Sequence, residues 1–238
     1  MLFSFEERLS DSPFVERIWW AQSERTGNFL SVAASQWEMV VSKYQGEITM
    51  TVRGPETKPT SMDVTVVGNE FFGIIFKHGV YMPRFPVGDL VDGDVNLPDA
   101  SSKSFWLNGS AWQFPNYENT DTFVEKLVTE DLLICDPIIA PVLRGEPQDL
   151  SPRSIQRRFL QATGLTQGSI RKIERARRAT ILLQQGVSIL DTVEQAGYSD
   201  QAHLTRALKQ LMGKTPAQII NKSEPVQMSL LFKTELLR

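Results

Sequence analysis

Apolar and polar residues alternate in short runs along the first third of the chain, and this pattern predicts β-strands. The runs are rich in β-branched and aromatic residues and are separated by glycine, proline and asparagine, which favour turns. Regular spacing of this kind favours a small sandwich or barrel over a parallel sheet linked by helices. The predicted strands span residues 14–21, 28–34, 37–44, 47–53, 62–67 and 71–77.

The pattern changes to a helical period in the second half of the chain. Residues 79–120 are rich in Gly, Pro, Asp and Asn, which predicts irregular chain with one short helix. A helix is predicted over 122–133 with Asp121 as its N-cap, and a short helix with a connection over 136–148. Ser151-Pro152 is a strong helix start, because serine caps free amides and proline at the first position loses no needed hydrogen bond. Further helices are predicted over 152–164, 166–185, 188–196 and 200–212, with a last one starting at Thr215.

One helical pattern occurs twice near the C-terminal end, 49 positions apart. In the first copy Ile155, Phe159 and Ala162 share one face, which predicts burial, while Arg153 and Arg157 lie on another with Gln156. Arginine and glutamine read base edges in the DNA major groove, so the pattern indicates a recognition helix. The matched pairs are Ile155 and Leu204, Arg157 and Arg206, Phe159 and Leu208, Gly164 and Gly213, Thr166 and Thr215, and Ile170 and Ile219. In the second copy Leu204, Leu208 and Leu211 are predicted inward, and Ala202, Thr205 and Arg206 outward.

The helix between the two copies has a length that suits B-DNA. About 20 residues at ~1.5 Å rise span ~30 Å. Successive major-groove segments on one side of the duplex lie ~34 Å apart. We therefore expect one molecule to place both recognition helices in adjacent groove segments.

Charge divides the chain in the same way as the patterning. Residues 1–149 hold 11 Lys and Arg against 22 Asp and Glu, whereas residues 150–221 hold 11 against 4. A basic module on an acidic body suits a protein that docks on a polyanion through one domain. No apolar run is long enough for a membrane span, Cys135 is the only cysteine, and the N-terminus has no signal pattern, so a soluble cytoplasmic protein is expected.

Catalytic motifs are missing from the sequence. It has no nucleophile elbow, no phosphate-binding glycine loop and no metal-ligand spacing, and only two histidines. We therefore expect no enzyme and no cofactor. His78 is expected to be a structural histidine and Cys135 a buried small hydrophobe, while the tryptophans suit either an effector pocket or the core.

The segments LSPRSIQRRFLQATG, RARRATILLQQG and SILDTVEQAGYSDQAHLTRALKQLMGKTPAQI together resemble the DNA-binding module of AraC-type (AraC/XylS) transcription regulators. The resemblance covers residues 136–221. It implies two helix-turn-helix units joined by a helix, promoter DNA as partner, and activation through contact with RNA polymerase. The expected architecture is α+β, with a β-rich sensory or dimerisation domain over 1–135, the all-α DNA-binding domain over 136–221 and a tail over 222–238.

The resemblance also implies roles for individual residues. Base readout is expected from Arg153, Gln156 and Arg157 in the first unit and from Gln201, His203, Thr205 and Arg206 in the second. Phosphate contacts are expected from Ser151, Lys209 and Lys214. Two features depart from the family pattern: Leu204 and Leu208 replace an aromatic pair, and Pro141 with the segment RGEPQDLSP makes the helix before the first recognition helix unusual.

The segment FFGIIFKHGVYMPRFPVGDLVDGDV more weakly resembles the sensory domains attached to some of these regulators. This implies a domain that binds a small effector or mediates homodimerisation, and it names no effector. Two alternatives stay open: a ligand-independent regulator whose β-domain only dimerises, and a β-barrel enzyme fused to a DNA-binding module.

Overall fold

The computed structural model describes residues 2–221 and the backbone of residues 227–228. A strand-rich part comes first and a helical part follows, as the sequence predicted. The strands are β1 (Phe3–Arg8), β2 (Val15–Ser23), β3 (Gly27–Ser31), β4 (Glu38–Tyr44), β5 (Glu47–Arg53), β6 (Thr60–Val64), β7 (Glu70–Phe76), β8 (Val80–Tyr81), β9 (Asp94–Asn96), β10 (Asp99–Ser101), β11 (Ser104–Leu107), β12 (Ser110–Gln113), β13 (Ile134–Cys135) and β14 (Gln227–Met228). The helices are α1 (Thr120–Thr129), α2 (Ile139–Leu143), α3 (Pro152–Thr163), α4 (Gln167–Gln184), α5 (Ile189–Gln195), α6 (Gln201–Met212) and α7 (Pro216–Asn221), with a 3-10 helix over Val87–Leu90.

The main sheet has six antiparallel strands in the order β1-β2-β7-β4-β5-β9. Its central hairpin joins β4 to β5, with Tyr44 opposite Glu47. Gln45 and Gly46 between them both have positive φ, which is the geometry of a two-residue hairpin turn. All six predicted strands occur in the structure, and β5 has the predicted bounds.

Three smaller sheets complete the strand-rich part. β3 pairs with β6 and, along its other edge, with the backbone of β14 in parallel. β10, β11 and β12 form an antiparallel meander, and β8 pairs with β13. The prediction of mostly irregular chain over 79–120 was therefore wrong, because strands of two to four residues are too short to show an alternating pattern. The short helix expected in that region is the 3-10 helix.

Helix α1 differs from its prediction at both ends. It begins at Thr120 rather than at residue 122, and it ends at Thr129. Asp121 lies in the first turn and does not cap the helix; instead it forms an ion pair with Arg8 of β1 at 2.9 Å. The acidic residue therefore serves to attach α1 to the edge strand.

The buried side chains form two large clusters. One fills the strand-rich part beneath α1 and includes Phe76, Phe105 and Leu127. The other lies among helices α2 to α7, and it also contains Val32 and Ala33 from the loop between β3 and β4. This loop, residues 32–37, is called the Ala33 loop below. It joins the strand-rich part directly to the core of the helical part.

Cys135 is exposed, so the expectation of a buried small hydrophobe was wrong. Partial burial and the neighbouring Asp136 carboxylate raise the pKa of its thiol. Trp37 and Trp112 belong to the core, whereas Trp106 is exposed. No helix among the described residues combines the length and apolar character that crossing a membrane requires.

Candidate nucleic-acid interface

Helices α3 and α6 repeat each other in length, caps and phase. Each has 12 residues. The Ser151 hydroxyl caps α3 by accepting from the Ser154 amide at 3.2 Å, and the Asp200 carboxylate caps α6 by accepting from the His203 amide at 2.7 Å. Both helices end on a glycine with left-handed φ, Gly164 at 69° and Gly213 at 71°. The sequence repeat is thus a repeat of structure.

The apolar faces of the two helices lie in one core. Phe159 and Leu208, which occupy matching positions, are both fully buried. Ala162 and Leu211 are buried next to them, and Ile155 is half-buried against the same cluster. The leucines of the second copy thus occupy the packing positions that the sequence assigned to them.

The opposite faces carry the predicted base-reading groups. Arg153, Gln156 and Arg157 are exposed on α3, and Gln201 and Arg206 are exposed on α6. Within residues 2–221 neither Arg157 nor Arg206 forms an ion pair. Exposed guanidinium groups that are not paired with a protein carboxylate are available to donate hydrogen bonds to a base edge or a phosphate.

His203 and Thr205 are less available than their neighbours. The His203 Nδ1 atom lies 3.1 Å from the Ser199 hydroxyl, and its ring packs edge-on against Tyr198 at 5.1 Å. Thr205 donates its hydroxyl to the Gln201 carbonyl at 2.8 Å. Both side chains are half-buried, so each already has a role within its helix.

The three predicted phosphate contacts lie in different environments. Ser151 caps α3, so its hydroxyl lies at a helix N-terminus, and Lys209 is exposed on α6. Lys214 is 7% exposed. The adjacent Gly213 faces Pro59 and Leu30 of the strand-rich part. A phosphate contact of Lys214 is therefore not available in this arrangement, and the prediction is corrected for that residue.

Helix α4 connects the two units. Its 18 residues span ~27 Å at 1.5 Å per residue. The predicted apolar face is buried, including Ile173, Ala176 and Leu183. Arg175 of this helix donates to the Gly197 carbonyl at 3.2 Å and lies 4.5 Å over the Tyr198 ring. This contact attaches α4 to the turn before α6.

The first unit has the shorter supporting helix, as Pro141 indicated. Helix α2 has only five residues, against seven in α5. Its connection to α3 spans residues 144–151, whereas α5 and α6 are joined by residues 196–200. An ion pair of Arg158 with Asp136 at 2.8 Å attaches α3 to the chain just before α2.

The Ala33 loop contacts both the linker helix and the second recognition helix. The Ala33 amide donates to the Leu211 carbonyl in the last turn of α6 at 2.9 Å. The Ala33 carbonyl accepts from Nη1 of Arg177 in α4 at 3.1 Å. A third contact joins α3 to the strand-rich part, where Gly164 meets Gly88 backbone to backbone.

A polar cluster lies beside this loop. The Ser35 hydroxyl donates to the Glu174 carboxylate of α4 and lies 2.7 Å from Nε2 of His78. Burial lowers the pKa of His78, and Arg177 acts in the same direction, while Glu174 and Glu16 oppose the shift. His78 is thus a hydrogen-bonded structural histidine, as expected, and it sits at the contact between the two parts.

A cavity of about 310 Å³ lies between the main sheet and the β3-β6 pair. Much of its lining is aromatic, and the Trp19 ring lies against Gly73, where any larger residue would collide with the indole. The aromatic lining consists of Phe3, Phe5, Trp19, Phe29 and Phe71.

The lining also contains two buried or half-buried acidic groups, and both already have donors. Glu38 accepts from the Trp19 indole at 3.0 Å and from Arg53 at 3.3 Å. Glu56 accepts from the Ser31 hydroxyl at 2.6 Å, and burial raises the pKa of Glu56 against that hydrogen bond. Arg177 of α4 lines the same cavity, so the linker helix contributes a side chain to a cavity of the strand-rich part.

No sequence pattern distinguishes Arg177 from the other arginines of α4. Its side chain lines the cavity only because the helical part docks on the strand-rich part. Among the described residues, no group of three or more His, Cys, Asp or Glu side chains is arranged to hold a metal ion.

The family of helix-turn-helix domains matches residues 148–222, which include both recognition helices and the linker helix. This match and the duplicated cap geometry identify residues 148–222 as an AraC-type helix-turn-helix domain, and they support a role of the protein as a DNA-binding transcription regulator. No curated protein and no solved structure matches the chain.

Proposed function

We propose that the protein is a sequence-specific activator that reads promoter DNA through α3 and α6 in neighbouring major-groove segments. The observation that carries this proposal is the paired exposure of Arg157 and Arg206 at matching positions of two helices with the same caps and phase. The ~27 Å span of α4 is close to the ~34 Å between groove segments on one face of the duplex.

The base contacts proposed are those of Arg153, Gln156 and Arg157 in one half of the site and of Gln201 and Arg206 in the other. His203 and Thr205 add contacts from positions they already occupy in α6. Ser151 and Lys209 are proposed to bind phosphates, where they fix register without reading sequence.

The strand-rich part, proposed as a domain over residues 1–135, is assigned the role of receiving a small effector. Support comes from its aromatic cavity, which is concave and apolar with a few polar groups, as small-molecule sites are. The acidic groups there are already hydrogen-bonded, which favours a sensor over an enzyme. Contact with RNA polymerase and homodimerisation of this domain complete the proposal, which places the protein in the cytoplasm.

The test is a selection of bound sequences from random DNA, repeated with Arg157→Ala and Arg206→Ala. A bidentate arginine to guanine is worth about 1–3 kcal/mol of discrimination, or about 5- to 150-fold. Each variant should therefore lose preference at a different base position and keep the rest of the motif. Arg25→Ala, which removes an exposed arginine from the strand-rich part, is the matched control and should select the wild-type motif.

Salt dependence separates the two kinds of contact. Binding should weaken steeply with added salt, since phosphate contacts release counterions. Lys209→Ala should reduce the slope and leave the selected motif unchanged. An unaltered base preference in both arginine variants would refute the assigned reading positions.

A further inference from the structure

We propose that the cavity binds a small organic monocarboxylate, with its apolar body against Trp19 and its carboxylate on Arg177 of the linker helix. This inference rests on the proposed effector role of the strand-rich part and names the ligand class. It also makes the ligand contact the DNA-binding domain directly.

The charge argument begins with Arg177. A guanidinium has five N–H donors and needs acceptors for them when it is withdrawn from water. The hydrogen bond of Arg177 to the Ala33 carbonyl uses Nη1 alone. Within the described residues Arg177 has no carboxylate at ion-pair distance. Burial lowers its pKa; Glu174 of the same helix, Glu56 and Glu38 act against this shift from a longer range, and Arg17 adds to it.

The acidic groups of the cavity give no comparable site for a cation. Both oxygens of Glu38 accept hydrogen bonds, one from Trp19 and one from Arg53. Burial raises the pKa of Glu56, which favours its neutral form. Since Arg53 is paired with Glu38, Arg177 is the cationic side chain of the cavity lining that has no carboxylate within ion-pair distance among the described residues. A carboxylate matches a guanidinium in charge and in its two-atom geometry.

The rest of the lining sets the size and character of the ligand. A volume of about 310 Å³ lies at the small end of the ~300–1,000 Å³ range of ligand pockets. The five aromatic side chains of the lining favour a ring or a short alkyl chain over a sugar, which would need more hydrogen-bond partners. We therefore expect a ligand with one carboxylate group and one apolar ring or alkyl chain.

The position of Arg177 connects occupancy of the cavity with the recognition helices. The Ala33 loop lines the cavity through Val32 and Ala34. The Ala33 residue between them bonds to Arg177 on one side and to the end of α6 on the other. A carboxylate that binds the guanidinium therefore competes with the Ala33 carbonyl for Arg177. We expect this competition to shift the Ala33 loop, whose amide is bonded to the end of α6.

The test uses the full-length protein and measures tryptophan fluorescence together with thermal unfolding. The probes are butanoate, hexanoate, benzoate and phenylacetate, each compared with its primary amide and with an amine of the same skeleton. At least one acid should bind saturably and raise the unfolding midpoint, at least tenfold more tightly than its amide or amine. Arg177→Gln should weaken acid binding at least tenfold and leave amide binding unchanged.

Arg178→Gln is the matched control, because Arg178 is the next residue of the same helix and is exposed. It should bind acids as the wild type does. Equal affinity for acid and amide, tighter binding of the amine, acid binding unaffected by Arg177→Gln, or no saturable response to any acid would each overturn the proposal. The acid-to-amide comparison needs only the wild type, so it stands even if Arg177→Gln fails to fold.

DNA binding is measured separately on the same preparations. An acid that binds should change DNA affinity in the wild type and not in Arg177→Gln. A protein that binds the acid but no DNA would refute the proposed function and leave the ligand assignment intact. A protein that binds DNA but no acid would do the reverse.

Discussion

The contact between Gly164 and Gly88 provides a quantitative test of how α3 docks on the strand-rich part. An alanine Cβ at residue 164 would lie 2.7 Å from both the Cα and the carbonyl oxygen of Gly88. Gly164 also has φ of 69°, a conformation that costs an L-residue about 1–2 kcal/mol. Overpacking against backbone adds about 1–3 kcal/mol, so Gly164→Ala should lose about 2–5 kcal/mol of unfolding free energy.

Gly197→Ala isolates the conformational part of this loss. Gly197 has φ of 72°, yet an added Cβ there has nothing within 4 Å. Its substitution should cost only about 1–2 kcal/mol. In a protein of this size 1 kcal/mol shifts the unfolding midpoint by about 2–4 °C, so the two variants separate in a thermal scan.

Gly88→Ala approaches the same contact from the other side. Its Cβ would lie 3.1–3.3 Å from Gly164 and the Leu160 carbonyl, and Gly88 has no left-handed conformation to lose. It should therefore cost less than Gly164→Ala, and the double variant should be non-additive because the two positions touch. If Gly164→Ala cost no more than Gly197→Ala, α3 would not abut the 3-10 helix, and the contact between the helical part and the strand-rich part would be wrong.

Two further predictions concern the core and the polar cluster. Phe159→Ala should lower the free energy of unfolding, measured in urea, by about 3–5 kcal/mol, because the ring is fully buried. Phe159→Leu should lower it by less than about 1.5 kcal/mol, since leucine occupies the matching position 208 of the repeat. Similar losses in both variants would show that the volume of the side chain does not determine stability at this position. Burial lowers the pKa of His78, so the unfolded chain takes up its proton first and stability should fall as pH drops below about 6.5. His78→Gln should reduce the fall of the thermal unfolding midpoint between pH 7 and pH 5.5. If the midpoint fell as steeply in this variant as in the wild type, the loss of stability would come from other titrating groups.

The helical part could be predicted from the sequence because its signals are local. Ser151, Thr166, Ser188 and Asp200 all cap the helices that were predicted to begin at or beside them. A cap acts within one turn of its own helix, so its effect does not depend on what the helix packs against. The 49-residue repeat then predicted which positions of α3 and α6 correspond and which face of each helix is buried.

The features that could not be predicted from the sequence depend on contacts between distant segments of the chain. β1 and the meander of β10 to β12 escaped prediction because their partners are supplied by tertiary structure rather than by a recognisable alternation. Lys214 was predicted to meet phosphate, but it is buried next to Gly213, which faces Pro59 and Leu30 of the strand-rich part. Arg177 was one arginine among several in a basic helix, and nothing in its neighbours distinguished it from Arg178.

The hydrogen bonds of Ala33 to α4 and α6 come from its main chain, so they use no atom of its side chain. In the proposed effector role, substitutions beside Ala33 can therefore reshape the cavity for another compound without breaking the bonds to the two helices. Proline at position 33, which removes the amide, or a change in loop length would break the bond to α6. Under this proposal, ligand preference can change in evolution while the connection to the recognition helix is kept.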